Sequence, residues 1–255
     1  MTTTRENGSL YISIENKIAT IEFGHPASNS FPSELLERLK KGFQTLSEDE
    51  SVNVIILKSE GEKSFCAGAS FDELVAVESM QQGKLFFSGF ANVINAMRDC
   101  KKLIIGRIQG KTVGGGVGLA AACDYVLATE AASIKLSELS IGIGPFVIAP
   151  AVERKIGVSG LAELSLAAHE WKNAYWAKEK GLYAKVFDSI KELDNEVLHF
   201  SEKLASYNPQ ALLEMKKILW ENTASWKNLL HERAAISGEL VLSEFTKQAL
   251  SRFKK

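Results

Sequence analysis

Cysteine is scarce in this chain, and its few residues lie far apart. The 255 residues include three cysteines, Cys66, Cys100 and Cys123, mostly in apolar surroundings. An odd number of widely spaced cysteines does not make a disulfide framework, so we expect buried, reduced thiols. The first eight residues also lack the apolar segment of a secretory signal. Both features favour a cytoplasmic location.

Charge of either sign is not in excess, and long apolar runs are missing. The chain contains 30 Lys and Arg residues and 31 Asp and Glu residues, which give a formal net charge of -1. Binding to nucleic acid or to an anionic membrane favours a basic surface, so we expect neither partner. No apolar run approaches the length of a membrane span. The four histidines lack the spacing of metal ligands, so no metal site is expected.

Glycine, by contrast, is concentrated in one turn, Gly114-Gly115-Gly116. The apolar run 103–108 before it predicts a buried strand, and the small residues 117–123 after it predict a helix. Glycines there let another group approach the backbone and leave free N–H donors at a helix N-terminus. Such a site suits a phosphate or an oxyanion that forms during a reaction. Glycines that only permit close helix–sheet packing are the other interpretation, and both stay open.

Strand and helix patterns alternate along the chain. Further strands are predicted at 10–15, 18–23, 52–57, 125–128, 132–136 and 184–187. Helices are predicted after Pro32 and at 83–100, 148–156, 159–168, 172–180, 190–206, 209–222 and 224–252. This alternation predicts an α/β fold with a mostly parallel sheet. Ligand sites of such sheets lie where strands end and helices begin. We therefore expect the turn at Gly68-Ala69 and the turn at the three glycines to converge on one pocket.

Large apolar residues mark the C-terminal part, namely Trp220, Trp226, Leu229, Leu230 and Phe245. Such residues need cover from water. They either pack on their own subunit or form a subunit interface, and the sequence leaves both interpretations open.

Three motifs follow one another along the chain: Phe65-Cys66-Ala67-Gly68-Ala69, the segment 110–124 that contains the three glycines, and the segment 132–142. Together, in this order and at these spacings, they resemble the crotonase (enoyl-CoA hydratase/isomerase) superfamily. The resemblance covers nearly the whole chain. It implies a crotonase-like spiral of ββα repeats in residues 1–195 and a helical C-terminal trimerisation region in residues 196–255. It also implies an acyl-CoA substrate, in which coenzyme A is part of the substrate rather than a separate cofactor, and a homotrimer or a dimer of trimers.

The resemblance also assigns candidate site residues. Two backbone N–H groups of the family bind the thioester oxygen, and they match Ala69 and Gly115 here. Donors at that oxygen stabilise the enolate that forms when the neighbouring carbon loses a proton. Candidate substrate-binding residues are Ala27, Ala67, Gly68, Ser70, Phe71, Asp72, Gly114, Phe146 and Lys254. Asp72 also fits a second interpretation, because helix N-termini favour acids.

The pattern of acids separates the reactions of the family. Hydratases carry two glutamates, and the matching positions here are Gly118 and Glu138. Dienoyl-CoA isomerases and a related dehalogenase place an acid eight residues beyond the second position, where this chain has Phe146. Δ3,Δ2-enoyl-CoA isomerases use one glutamate, which moves a proton from C2 to C4. We therefore expect such an isomerase, with Glu138 as proton shuttle and apolar neighbours that raise its carboxyl pKa.

Other interpretations of the single acid remain. The chain is alternatively an enoyl-CoA hydratase, or another crotonase-type lyase or hydrolase, that uses a different acid. It is alternatively a non-catalytic acyl-CoA-binding protein, because Gly118 cannot act as an acid. Without the resemblance, Glu138 is best interpreted as an exposed or ion-paired loop residue, since most glutamates are exposed.

Overall fold

The structure is a computed structural model that describes residues 7–252, in which the chain forms nine strands and ten helices. The strands are β1 (Ser9–Glu15), β2 (Ile18–Gly24), β3 (Val54–Ser59), β4 (Ser64–Cys66), β5 (Leu103–Ile108), β6 (Lys111–Val113), β7 (Tyr125–Thr129), β8 (Ile134–Lys135) and β9 (Lys185–Phe187). The helices are α1 (Ser33–Glu48), α2 (Phe71–Val75), α3 (Met80–Asp99), α4 (Gly115–Ala122), α5 (Ala149–Leu166), α6 (Ala174–Glu179), α7 (Ile190–Ala205), α8 (Pro209–Leu219), α9 (Trp226–Leu240) and α10 (Glu244–Ser251). A short 3-10 helix, Glu138–Ile141, lies between β8 and α5.

Two sheets organise these elements. The larger has the strand order β1-β2-β3-β5-β7-β9, and the smaller has the order β4-β6-β8. Only the hairpin β1–β2 is antiparallel; the other paired strands of residues 7–252 are parallel. In the repeats that begin at β3, β5 and β7, the first strand lies in the larger sheet and the second in the smaller, and one or two helices follow; β1 and β2 both lie in the larger sheet. This arrangement confirms the expected α/β fold built from ββα repeats.

Aromatic packing attaches the N-terminal loop to the smaller sheet. Phe23, Phe31 and Phe65 are fully buried in the main core. The ring centroid of Phe23 lies 4.7 Å from that of Phe31 and 5.3 Å from that of Phe65. Such aromatic pairs stabilise a core beyond the area that they bury. They fix the end of β4, after which the turn at residues 67–69 begins.

The smaller sheet and the tail differ from the sequence expectations. The strands β4 and β6 were not predicted, because each has only three residues and neither shows clear alternation. The predicted helix 224–252 is two helices, α9 and α10. The chain turns between them, and the hydroxyl of Ser243 caps α10 by accepting the N–H of Thr246 at 3.3 Å. Gly157 interrupts α5 with φ 70° and ψ 169°, which agrees with two predicted helical segments there.

The large apolar residues of the tail mostly pack within the chain. Trp220, Trp226 and Leu230 are buried in the main core, whereas Phe245 is 64% exposed. The helix α7 passes through residue 195 without a break and contacts β3, β5 and β7 of the larger sheet. The expected division at residue 195 stays a prediction, and it lies inside this helix.

The three cysteines are all buried and unbridged. Burial raises the pKa of the Cys66 and Cys123 thiols to about 12. They are therefore core side chains rather than reactive thiols. Within residues 7–252, the structure contains no helix that is both long enough and apolar enough to cross a bilayer.

Candidate active site

The turns that follow β4 and β6 lie against each other. A Cβ built on Gly68 would stand 3.2 Å from the carbonyl oxygen of Val113 and 3.5 Å from the nitrogen of Gly115. Gly68 and Gly114 have φ values of 92° and 54°, a region that favours glycine. Because β4 and β6 are parallel neighbours, their carboxyl ends bring the two turns together at one edge of the smaller sheet.

The backbone N–H groups of Ala69 and Gly115 have no backbone acceptor within residues 7–252. Gly115 is the first residue of α4, so its N–H precedes the hydrogen bonds of the helix. Ala69 is held by its flanks, where Phe31 N–H donates to the Gly68 carbonyl at 2.8 Å and Ser70 N–H donates to the Phe31 carbonyl at 2.9 Å. The two N–H groups are therefore available to an oxyanion, and the helix dipole adds to their effect.

A cavity of about 210 Å³ adjoins these donors. Three polar side chains of the described residues line it, Ser137, Glu138 and Ser237, and Glu138 alone among them is ionisable. The remaining side chains of the wall are apolar, and the larger ones are Phe71, Leu74, Phe86, Phe87, Phe90, Val113, Ile141, Ile143, Pro145, Val147 and Ile148. An apolar cavity with few polar groups is typical of a site that binds a small organic molecule.

Strand pairing brings Glu138 to the glycine turn. In the β6–β8 pair Val113 lies opposite Lys135, and Gly114 N–H donates to the Lys135 carbonyl at 3.0 Å. Glu138 follows three residues later, at the start of the 3-10 helix. A Cβ built on Gly114 would stand 3.0 Å from its Oε1. A side chain at position 114 would therefore displace the carboxyl group.

The carboxyl group of Glu138 lies in apolar surroundings. Its Oε2 is buried and has no hydrogen-bond partner within residues 7–252. Burial disfavours the charged form and raises the pKa of Glu138 from 4.5 to about 7. A carboxyl group with such a pKa both takes and returns a proton near neutral pH, as a general base and acid must.

Position 118, where the resemblance puts a second glutamate, has no room for a side chain. Gly118 is buried in α4, and a Cβ built on it would stand 2.7 Å from the Cβ of Ile148. Ile148 itself lines the cavity. The glycine is therefore required by packing, and the isoleucine fills the space toward which a second acid would extend.

The structure brings some of the expected site residues together. Seven of them line the cavity, namely Ala67, Gly68, Ala69, Phe71, Gly114, Gly115 and Glu138. Lys254 lies outside the described residues. The other four, Ala27, Ser70, Asp72 and Phe146, do not line the cavity.

Each of those four has another environment. Ser70 caps α2 by accepting the Glu73 N–H at 3.3 Å, and Asp72 is exposed in the first turn of that helix. The ring of Phe146 covers Gly144, where a Cβ would stand 2.8 Å from its Cε2. This close packing explains why Phe146, expected at the acyl pocket, is not in its wall.

The loop of Ala27 lies next to the Ala67 turn. Ala27 is exposed, and the carbonyl of its neighbour Ser28 accepts the Ala67 N–H at 3.1 Å. A role for Ala27, Ser70 or Asp72 toward the coenzyme A part of a substrate stays a prediction.

Sequence reasoning missed the contribution of α9. Ser237 lies about a hundred residues beyond Glu138 and belongs to no motif, yet it lines the same cavity. The available signal was spacing, because Ala234, Ser237 and Val241 recur at helical intervals and are all buried.

Similarity to known proteins identifies the family of this chain. Residues 13–253 match the family described as enoyl-CoA hydratase/isomerase. The chain belongs to this family. It is therefore an enzyme of the hydratase/isomerase type, and it belongs to the crotonase superfamily.

Relatives within the family have different names. A probable enoyl-CoA hydratase of Bacillus subtilis (strain 168) is 27% identical over 247 residues, which cover 96% of this chain and 95% of the relative. A peroxisomal Delta(3,5)-Delta(2,4)-dienoyl-CoA isomerase of Arabidopsis thaliana is 29% identical over 206 residues, which cover 75% of this chain and 72% of the relative. The crystal structure of enoyl-CoA hydratase from Bacillus halodurans has a TM-score of 0.88 at 20% identity, with 95% of this chain and 99% of that one covered. The structural match shows the shared fold.

Proposed function

We propose that this protein is a Δ3,Δ2-enoyl-CoA isomerase in which Glu138 carries a proton from C2 to C4 of a 3-enoyl thioester. One observation carries the proposal. Among the described residues that line the cavity beside the Ala69 and Gly115 N–H groups, Glu138 is the only ionisable one. A reaction that needs one proton carrier and an oxyanion site fits this set of groups.

The two N–H groups bind the thioester oxygen in this mechanism. Negative charge grows on that oxygen when C2 loses its proton, and the N–H dipoles of Ala69 and Gly115 stabilise it. Loss of one such donor typically lowers the rate by about 10²–10³. The interaction favours the transition state because the charge is largest there.

Glu138 completes the proton transfer. As a carboxylate it takes the proton from C2, and the electrons of the C2–H bond form the dienolate, which is conjugated with the C3–C4 double bond. The protonated Glu138 then gives the proton to C4, the C4–H bond forms, and the double bond lies between C2 and C3. The carboxylate is regenerated, so no second acid is consumed or required.

The packing of Ile148 against Gly118 supports this choice. Addition of water to a 2-enoyl thioester needs a base for the water and an acid for the carbon. Ile148 fills the space toward a second carboxylate at position 118, and its apolar side chain offers water no hydrogen bond.

An enoyl-CoA hydratase is the second candidate. The Bacillus subtilis relative carries that name, and the hydroxyl-bearing Ser137 lines the cavity next to Glu138. In this alternative, Ser137 and Glu138 hold the water, and Glu138 alone both activates it and returns the proton.

Two substrates separate the candidates. The protein is incubated with 3-hexenoyl-CoA and, separately, with 2-hexenoyl-CoA, and conjugated and hydrated products are quantified by chromatography. We expect conjugation of the first and no hydration of the second above the rate without enzyme. Hydration as fast as conjugation would favour the hydratase. Binding without either reaction would favour an acyl-CoA-binding protein.

The homotrimer or dimer of trimers stays a prediction of the family resemblance. Light scattering coupled to size-exclusion chromatography measures the mass of the assembly. A monomeric mass would contradict it.

A further inference from the structure

Ser237 is a buried polar residue that the proposed reaction does not use. It lies on α9, is 1% exposed and lines the cavity that contains Glu138. Its Oγ is buried and has no hydrogen-bond partner within residues 7–252. Ala234 and Val241, its neighbours one turn away on either side, are buried and apolar.

Helix packing explains a small side chain at position 237 but not a hydroxyl group. The helices α3 and α9 cross closely, since a Cβ on Gly83 would stand 2.7 Å from the Cα of Gly238. Alanine satisfies the same requirement for size, as Ala234 does on the same face. A buried hydroxyl without a partner loses its hydration and gains nothing in return.

The hydroxyl of Ser237 does not bond to the helix backbone. A serine within a helix often donates to the carbonyl four residues earlier, but Ser237 makes no such bond. Some buried hydroxyls of the described chain are bonded: Thr129 donates to the Gln109 carbonyl at 2.8 Å, and Thr223 donates to the Trp220 carbonyl at 2.6 Å. The buried hydroxyl of Ser201, like that of Ser237, has no partner within residues 7–252. Of these two residues with unpaired hydroxyls, only Ser237 belongs to the wall of the cavity.

The surroundings of Ser237 belong to the apolar part of the cavity. Phe86 and Phe87 lie one turn after Gly83 on α3, and both line the cavity. The Ala69 and Gly115 N–H groups come from other elements, the turns after β4 and β6. Ser237 is thus a polar position in the wall that an acyl chain would contact.

We propose that the acyl group carries an oxygen, as a hydroxyl or oxo substituent beyond the reacting carbons, and that this oxygen hydrogen-bonds to the hydroxyl of Ser237. The substrate class is then an oxygenated acyl-CoA rather than a plain hydrocarbon chain. This inference rests on the proposed function, because it requires an acyl-CoA in this cavity. A single neutral hydrogen bond that spares a buried group from remaining unpaired gives a preference of about tenfold.

Binding of saturated thioesters tests the inference without any reaction. Isothermal titration calorimetry compares hexanoyl-CoA with the three isomers of hydroxyhexanoyl-CoA that carry the hydroxyl group at C4, C5 or C6. We expect one or more of the isomers to bind to the wild-type protein about tenfold more tightly than hexanoyl-CoA. Ser237→Ala is expected to abolish that difference, because the hydroxyl of the ligand loses its partner. The inference is overturned if no isomer is preferred, or if Ser237→Ala keeps the preference.

Ser201→Ala is the matched control. Ser201 is also fully buried and its Oγ also lacks a partner within residues 7–252, but it lies on α7 and does not line the cavity. This variant is expected to keep the preference. If Ser237→Ala does not fold, Ser237→Cys replaces the hydroxyl with a weak donor of similar size and is expected to give the same result.

The binding test and the isomerase test can be told apart, because each can fail while the other succeeds. Saturated thioesters bind without proton transfer, so a missing preference leaves the isomerisation of 3-hexenoyl-CoA unaffected. A preserved preference without isomerisation would contradict the proposed reaction and support the inference about Ser237. A protein that binds none of the thioesters would contradict both.

Discussion

Ile148 occupies the space into which any side chain at Gly118 would extend. A Cβ at that position would stand 2.7 Å from the Cβ of Ile148, within the buried contact between α4 and the start of α5. The absence of a second acid is therefore part of the packing of this core. Protein interiors have little free volume, so neither residue changes size without a cost.

Gly118→Ala is expected to destabilise the protein by about 1–3 kcal/mol, as overpacking of a core does. A loss of stability would indicate overpacking, because alanine within a helix is otherwise favoured over glycine by about 1 kcal/mol. Urea denaturation followed by circular dichroism measures the change in the free energy of unfolding.

A double variant tests whether Ile148 is the cause. Ile148→Ala removes the crowding atoms beyond its Cβ, so Gly118→Ala is expected to cost less in that background than in the wild type. Equal costs in both backgrounds would mean that the two residues are not coupled.

The pKa of Glu138 predicts how the rate depends on pH. Because burial raises this pKa to about 7, the carboxylate that takes the C2 proton is lost as pH falls below that value. The kcat/KM for isomerisation of 3-hexenoyl-CoA is expected to fall about tenfold per pH unit below pH 7 and to level off above it. A constant kcat/KM between pH 5 and pH 9 would contradict a role for this group as the base.

The same raised pKa predicts an effect on stability. A carboxyl whose pKa is higher in the folded than in the unfolded state stabilises the fold fully below its unfolded value of 4.5. That contribution is lost as pH rises through about 7. The free energy of unfolding of Glu138→Gln, which cannot ionise, is therefore expected to exceed that of the wild type by more at pH 8 than at pH 4. Urea denaturation at both pH values measures this difference in the free energy of unfolding. A larger excess at pH 4 than at pH 8 would contradict a raised pKa of Glu138 in the folded protein.

Asp124, the second residue after the end of α4, has a structural role. Asp124 and Lys216 form an ion pair at 2.7 Å, with 2% and 3% of their side chains exposed. Asp124 also accepts the indole N–H of Trp220 at 2.6 Å and the N–H of Ile104 at 2.7 Å. These bonds attach α8 and the residue after it to the core beside β5.

Lys216→Met is expected to cost about 3–5 kcal/mol, because it leaves a buried carboxylate without its main partner. Lys217→Met is the matched control, since the ion pair of Lys217 with Glu214 is more than half exposed on both sides. Exposed pairs contribute about 0–1 kcal/mol. Denaturation of both variants measures the difference, and equal losses would show that the burial of Asp124 does not matter.

Elements that depend on local patterns and motifs were predictable from the sequence. The amphipathic helix after Pro32, the first hairpin and the apolar strand 103–108 follow from periodicity, and the structure confirms them. The turns at Gly68 and Gly114 were expected to meet because parallel strands end at one edge of a sheet.

Contacts between distant segments were not predictable. The exclusion of a side chain at Gly118 depends on Ile148, thirty residues away, and the wall near Phe86 depends on Ser237 of α9. Phe146 was a candidate substrate-binding residue by the family resemblance, but its ring packs on Gly144 and it does not line the cavity. The size of a side chain and its position in the sequence do not show which distant residue it will contact. Those contacts depend on how the whole chain folds.

Exchange of the C2 proton tests the central claim most directly. Wild-type protein, Glu138→Gln and the control Glu130→Gln, which replaces an exposed glutamate outside the cavity, are incubated with 3-hexenoyl-CoA in deuterated water. Deuterium at C2 and C4 is then followed by NMR. We expect Glu138→Gln to lower the exchange rate by about 10²–10⁴, with binding of hexanoyl-CoA retained, and Glu130→Gln to leave exchange unchanged. Undiminished exchange in Glu138→Gln would contradict the assignment of Glu138 as the proton carrier.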